Sequence, residues 1–167
     1  KRIIMLLDGT WNDSDFGHAD TNIVRLQRII AETLRDRKDG DRVAQQDPAK
    51  LASSIDDLDG LERTLAATPT RLVVFESPTN PVLKIADIER ITGLARGHGA
   101  LTLLDNTLGG LHNHGQYDVD LYAHSLTKFA SGHGDVMGGA VIGSAALIRR
   151  LRAGADLVKE AIAALRE

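Results

Sequence analysis

From residue 56 onward, short apolar runs without polar alternation take turns with stretches of helical period, a pattern that few architectures satisfy. A helix is expected through Leu58, Leu61 and Leu65, a strand at 71–75, a helix at 88–96 and a strand at 101–104. Further strands are expected at 121–124 and 139–142, with one or two helices over 145–166. A strand that is apolar at every position must be covered on both faces, and only a parallel sheet with helices on its faces does this readily. The expected class is therefore α/β, a mostly parallel sheet flanked by helices, with 72–75, 101–104 and 121–123 as neighbouring parallel strands.

The chain before residue 56 is less regular. Residues 3–7 form an apolar run closed by Asp8-Gly9-Thr10, read as a buried, central strand. Asp20-Thr21-Asn22 offers N-cap chemistry to a helix carrying Ile23, Leu26, Ile29, Ile30 and Leu34. Residues 42–54 have no clear period and are read as a linker or weak strand. The whole is expected to be a single domain over 1–167, with a seam near 45–55.

Composition narrows the function classes. The 167 residues are 43% hydrophobic and 26% charged, ordinary for one globular domain, and the net charge of −3 provides no basic footprint for nucleic acid. There is no cysteine, hence no disulfide framework or thiolate metal site, and the chain suits a reducing compartment, so cytoplasm is the expected location. No apolar run is long enough to cross a bilayer, and Asp8 interrupts the only candidate signal core. A chain opening on Lys1 rather than Met reads as a processed product or a fragment.

In a parallel sheet, ligands gather beyond the carboxyl ends of the strands. Three of those ends carry polar clusters here: Glu76-Ser77-Pro78-Thr79-Asn80-Pro81, Asp105-Asn106-Thr107 and His124-Ser125-Leu126-Thr127-Lys128. A lysine flanked by hydroxyls suits an aldehyde cofactor that carries a phosphate: the amine condenses with the aldehyde, and Ser125 and Thr127 can donate to phosphate oxygens. Asp105 is placed to keep a pyridine nitrogen protonated, and Asn80 to approach the ring oxygen or a substrate carboxylate. Taken alone, each also has a plainer reading, Lys128 as a surface charge, Asp105 as a loop cap and Asn80 as a turn residue.

The motifs ESPTNP at 76–81, LLDNT at 103–107 and HSLTKFASGHGDVMGG at 124–139 closely resemble the Cys/Met-metabolism enzymes that depend on pyridoxal 5'-phosphate, the family of cystathionine gamma-lyase, cystathionine beta-lyase and methionine gamma-lyase. The resemblance covers about 56–152. It implies part of the large aspartate-aminotransferase-like domain and elimination or replacement at the β or γ carbon of a sulfur amino acid. It implies Lys128 as the catalytic, cofactor-bearing lysine, with Asn80, Asp105, Thr107, Ser125 and Thr127 around the cofactor. The family builds its sites across a subunit boundary, so a homo-oligomer is expected, a view the apolar stripe over 147–165 supports. The family's phosphate turn, ring-stacking tyrosine and C-terminal arginine lie outside the matching segment, which leaves catalysis by this chain open.

The first residues resemble another family. LLDGTWND at 6–13 and DTNIVRL at 20–26 are similar to the opening of α/β-hydrolase-like proteins related to type VI secretion phospholipase effectors, over about the first 45 residues. A nucleophile elbow, G-x-S-x-G, is missing. Two readings thus stand beside the pyridoxal enzyme: a recombined or designed α/β domain without catalysis, and a hydrolase-like protein. Other matches are weaker. Asp8-Gly9-Thr10 lacks the aspartate of haloacid-dehalogenase phosphatases at position 6. Ser125-Leu126-Thr127-Lys128 fits S-x-x-K without its companion motifs, and His112-Asn113-His114 has no carboxylate partner, so no metal site is expected. The glycines of 132–139 do not fit a dinucleotide fingerprint.

Overall fold

The computed structural model describes residues 2–6, 54–133, 135 and 137–164, with side chains for 54–133, 135 and 137–154. The helix expected over 23–34, the linker at 42–54 but for its last residue, most of the seam and the hydrolase-like segments other than Leu6 lie outside the described residues. The chain divides into two compact units, one of residues 1–10 and 45–142 and one of 11–44 and 143–167. The described part of the second is essentially one helix, and the first carries the sheet.

Among the described residues the sheet has five strands in the order β1 (Arg2–Leu6), β2 (Thr70–Glu76), β3 (Leu101–Asp105), β4 (Leu121–Ser125) and β5 (Gly139–Gly143). The pairs β1–β2, β2–β3 and β3–β4 are parallel. The three strands expected to be neighbours are therefore neighbours, each one to three residues longer than its apolar run. The strand read from 3–7 is not central among the described strands: β1 stands at one end of their order. An unbroken apolar run reports that both faces are covered and says nothing about rank across the sheet.

Helix α1 (Leu58–Ala67) starts where the Asp57 carboxylate accepts from Gly60 N at 2.8 Å. Helix α2 (Ile88–Gly97) starts in the same way at Asp87, which accepts from Arg90 N at 3.1 Å. Such caps satisfy backbone donors that the first helical turn leaves bare. Helix α2 stops at His98-Gly99, where Gly99 takes φ 68°, a conformation that costs glycine little. Leu61 and Leu65 of α1 and Ile88, Ile91 and Ala95 of α2 pack with Val73, Phe75 and Leu104 into one core. Leu72, Val74 and Leu103, whose side chains leave the opposite face, are also buried, as a doubly covered sheet requires.

Helix α3 (Ala145–Ala164) is a single helix. At its start Leu147, Ile148 and Leu151 are half-buried beside exposed Arg149 and Arg150, the first turns of the expected stripe. The side chains of the remainder lie outside the described residues.

Strand β4 is locked to β3 below the rim by Asp120, whose Oδ2 accepts from Thr102 N at 2.8 Å and from Thr102 Oγ1 at 2.9 Å. This fixes the register that follows, Leu103 opposite Leu121 and Asp105 opposite Ala123. Phe75 is fully buried between the sheet and the helices. Phe75→Ala is expected to lower the free energy of urea unfolding by about 3–5 kcal/mol with little change in the slope against urea.

Candidate active site

Because β2, β3 and β4 run parallel, the loops that follow them leave the same edge of the sheet. The first loop folds largely on itself: buried Ser77 accepts from Ala86 N at 3.1 Å, and buried Thr79 accepts from Lys84 N at 3.0 Å. Its peptide bonds Ser77-Pro78 and Asn80-Pro81 are cis. Asn80 is exposed, and its backbone N–H donates to Glu76 Oε2 at 3.0 Å.

The second loop begins at the centre of the arrangement. Asp105 is 5% exposed, and its Oδ1 accepts from Thr107 N at 3.0 Å and from Thr107 Oγ1 at 2.6 Å. The same Thr107 hydroxyl accepts from Ser125 N at 2.8 Å, which ties the end of β4 to the acid on β3. Asp105 Oδ2 receives no hydrogen bond among the described residues. A buried carboxylate oxygen in that condition is a ready acceptor for a cationic N–H.

In the third loop the chain makes a short π-helical turn, Leu126–Ala130, with non-helical torsions at Lys128, φ −87° and ψ −116°. Lys128 is exposed. Thr127 Oγ1 accepts from Gly138 N at 3.0 Å and donates to Gly138 O at 3.3 Å, so its hydroxyl is already committed. The Ser125 hydroxyl, by contrast, has no hydrogen bond among the described residues.

A cavity of about 150 Å³ opens between the second and third loops, lined by Thr107, Leu111 and His112 from one side and by His124, Ser125 and Phe129 from the other. Of the residues expected from the sequence, Asp105, Thr107 and Ser125 are brought together by hydrogen bonds, and Thr107 and Ser125 line this cavity. Asn80, Thr127 and Lys128 stand on the same rim without lining it. Asn106, which the sequence reading passed over, is 1% exposed and bonded throughout the second loop. Its one signal was its place between two residues already singled out.

The electrostatics follow from register. Glu76 and Asp105 are paired positions on β2 and β3. Burial pushes the Glu76 carboxyl above its ordinary range, the Asn80 N–H pulls it back and the Asp105 charge raises it further. Burial holds His124 below the usual imidazole value, with Asp105 partly offsetting it, so its neutral form faces the cavity.

The family model for Cys/Met metabolism PLP-dependent enzymes matches residues 47–162. The chain belongs to this family. L-methionine gamma-lyase of Pseudomonas putida is 46% identical over 99 residues, which are 58% of this chain and 24% of that protein. A cystathionine beta-lyase of Lactococcus lactis subsp. cremoris is 44% identical over 89 residues, 51% of this chain and 23% of the relative. Among solved structures, cystathionine gamma synthase from Xanthomonas oryzae pv. oryzae in complex with cystathionine superposes with a TM-score of 0.60 at 37% identity, covering 66% of this chain and 29% of that one. The putative O-acetylhomoserine (thiol)-lyase of Campylobacter jejuni, which contains N'-pyridoxyl-lysine-5'-monophosphate, gives a TM-score of 0.52 at 39% identity, covering 59% of this chain and 25% of that one. The chain spans about a quarter of the length of the curated relatives it matches. The sheet is thus part of the large domain of fold-type-I pyridoxal-phosphate enzymes.

A family member with Glu76 beside Asp105 should show it in its pH dependence. A carboxyl that holds its proton more tightly when folded contributes most below the ordinary carboxylate range, and that contribution is lost as pH rises through the raised value. Urea midpoints between about pH 4 and 8 should therefore fall in the wild type relative to Glu76→Gln as pH rises, and parallel curves would refute the assignment.

Proposed function

We propose that this chain is the cofactor-lysine portion of a pyridoxal-phosphate-dependent lyase or transferase of sulfur amino acids. The observation that carries the reading is the Asp105–Thr107–Ser125 relay, with a bare carboxylate oxygen, three residues ahead of Lys128 on the same rim. The residues present fit the cofactor in kind: a buried acid for the ring nitrogen, an unspent Ser125 hydroxyl for the phosphate and an exposed amine at Lys128 for the aldehyde. Thr127 fits less directly, because it would have to give up Gly138 to donate to a phosphate.

In this reading Asp105 Oδ2 would favour a protonated ring nitrogen, and Thr107 holds Asp105 in place through the opposite oxygen. Ser125 would donate to the phosphate, and Asn80 would serve the ring oxygen or the substrate carboxylate. When bound, pyridoxal phosphate supplies an electron sink for bonds broken at the substrate's α-carbon. Lys128 would hold the cofactor through its amine, and the same Nζ, when free, would accept and return the substrate's α-proton. The substrate is a small sulfur amino acid, the reaction is elimination or replacement at its β or γ carbon, and the location is the cytoplasm. The committed Thr127 hydroxyl favours a second reading, a domain that takes the cofactor without turning substrate over. Release of ammonia or a keto acid separates the two.

Titration with pyridoxal phosphate should produce visible absorption, and borohydride reduction followed by peptide mapping should place the label on Lys128. Lys128→Ala should remove it. Asp105→Asn should weaken binding about 10- to 100-fold, the worth of a hydrogen bond to a charged group. Label scattered over surface lysines such as Lys84, with no visible band, would overturn the reading.

We also propose a homo-oligomer. Val82, Leu83 and Ile85 are 56%, 62% and 64% exposed on the loop after β2, apolar surface of the kind that association covers. Sedimentation at micromolar concentration should show a dimer or larger species, and a lone monomer would refute it.

A further inference from the structure

We infer that Asn106 is a positioning residue whose side-chain amide, closed by His114, holds the wall formed by residues 110–112 against Thr107 and Ser125. Asn106 is 1% exposed and every polar group it has is engaged. Its Nδ2 donates to Gly110 O at 2.8 Å and to Asn113 O at 3.0 Å, and its Oδ1 lies 2.7 Å from His114 Nδ1. Its backbone N–H donates to Ala123 O at 2.9 Å, and its backbone carbonyl accepts from Gly110 N at 3.0 Å. With both amide hydrogens on carbonyls, Oδ1 is the acceptor, so the His114 proton sits on Nδ1. The opposite amide orientation would set an oxygen against two carbonyls, which rules it out.

The clamp is closed from other directions as well. Tyr122 of β4 shares its one hydroxyl hydrogen between His114 O at 2.8 Å and Tyr117 O at 2.9 Å. Asn113 Nδ2 donates back to Gly109 O. A Cβ at Gly109 would collide with Asn106 Oδ1 and meet the His114 ring at 3.0 Å, so the loop passes the amide with no room for a side chain. His114 itself takes φ 66°, a conformation outside the ordinary range for a side-chain-bearing residue.

What the clamp positions is specific. Gly110, Leu111 and His112 supply one side of the cavity, and Thr107 and Ser125 belong to the relay. Asp105, Asn106 and Thr107 thereby divide the work among consecutive positions: Asp105 holds the acid, Asn106 ties down the loop and Thr107 joins the two strands. That cofactor affinity depends on the clamp rests on the cavity being the pyridoxal-phosphate site, as proposed above. The placement of the wall does not.

Two measurements separate these points. Amide hydrogen exchange on the cofactor-free protein reads the clamp directly. Asn106→Asp, which removes both donors at constant shape, and His114→Ala should each speed exchange at 108–114 by about 10-fold or more, with β2 and β3 amides as internal control. His114→Asn, which retains a side-chain N–H and tolerates positive φ, should stay near wild type. In a pyridoxal-phosphate titration the same two disruptive variants should bind about 10-fold more weakly, with His114→Asn again restored. Unchanged exchange at 108–114 in Asn106→Asp and His114→Ala overturns the clamp. Faster exchange with unchanged affinity overturns its role in the site. If the wild type binds no pyridoxal phosphate, the cofactor reading falls and exchange alone decides the clamp.

Discussion

The arrangement of the rim depends on one hydroxyl. Thr107 Oγ1 donates to Asp105 at 2.6 Å and accepts from Ser125 N at 2.8 Å, so one atom satisfies a buried carboxylate and a backbone donor at the end of the neighbouring strand. The bond to the carboxylate is short, as expected where the acceptor is charged. Without it the Ser125 N–H would lose its recorded partner, and the two loops would lose their cross-link. The geometry is available because β3 and β4 are in parallel register with Asp105 opposite Ala123, which brings Thr107 level with Ser125. The Asp120–Thr102 bonds at the other end of the same strands fix that register.

Register also brings two carboxyl groups together. Glu76 and Asp105 are directly paired, and the Glu76 carboxyl is raised first by burial and further by the Asp105 charge. Like charges directly opposite one another in a sheet are unfavourable. A cation arriving beside Asp105 Oδ2 would reverse the sign of the local field, lowering the cost at Glu76 while gaining a charge-assisted bond. The acidity beside Asp105 is therefore complementary to a cationic N–H.

Much of this was legible in the sequence. The apolar runs gave strands and the 3.6 period gave helices because burial on both faces of a parallel sheet leaves so little freedom of composition. The rank of β1 was not legible, since an apolar run carries no information on how many neighbours it pairs with. Thr127 shows a different limit. A hydroxyl beside a lysine looks free on paper, and only the return of the chain at Gly138, eleven positions later, reveals that it is spent. Asn106 is hidden for a related reason: its partners at 110, 113 and 114 become partners only when the loop has closed around it. Short-range polar networks of this kind have no periodicity to betray them.

The state of Lys128 is consistent with the role proposed for it. Its backbone is held, because its carbonyl accepts from Gly132 N at 3.1 Å and the preceding carbonyl, of Thr127, accepts from Ser131 Oγ at 2.9 Å. Its side chain is exposed and has no hydrogen bond or ion pair among the described residues. A lysine meant for a structural ion pair would show the reverse, a fixed head group on an adaptable stem. A lysine that must first hold a cofactor and then carry a proton needs a fixed root and a free amine, since any strong partner for Nζ would have to be broken at each change of task. That root stands at a departure from helical geometry, φ −87° and ψ −116°, inside a turn whose hydrogen bonds from Ser131 N to Leu126 O and from Gly132 N to Lys128 O bracket it.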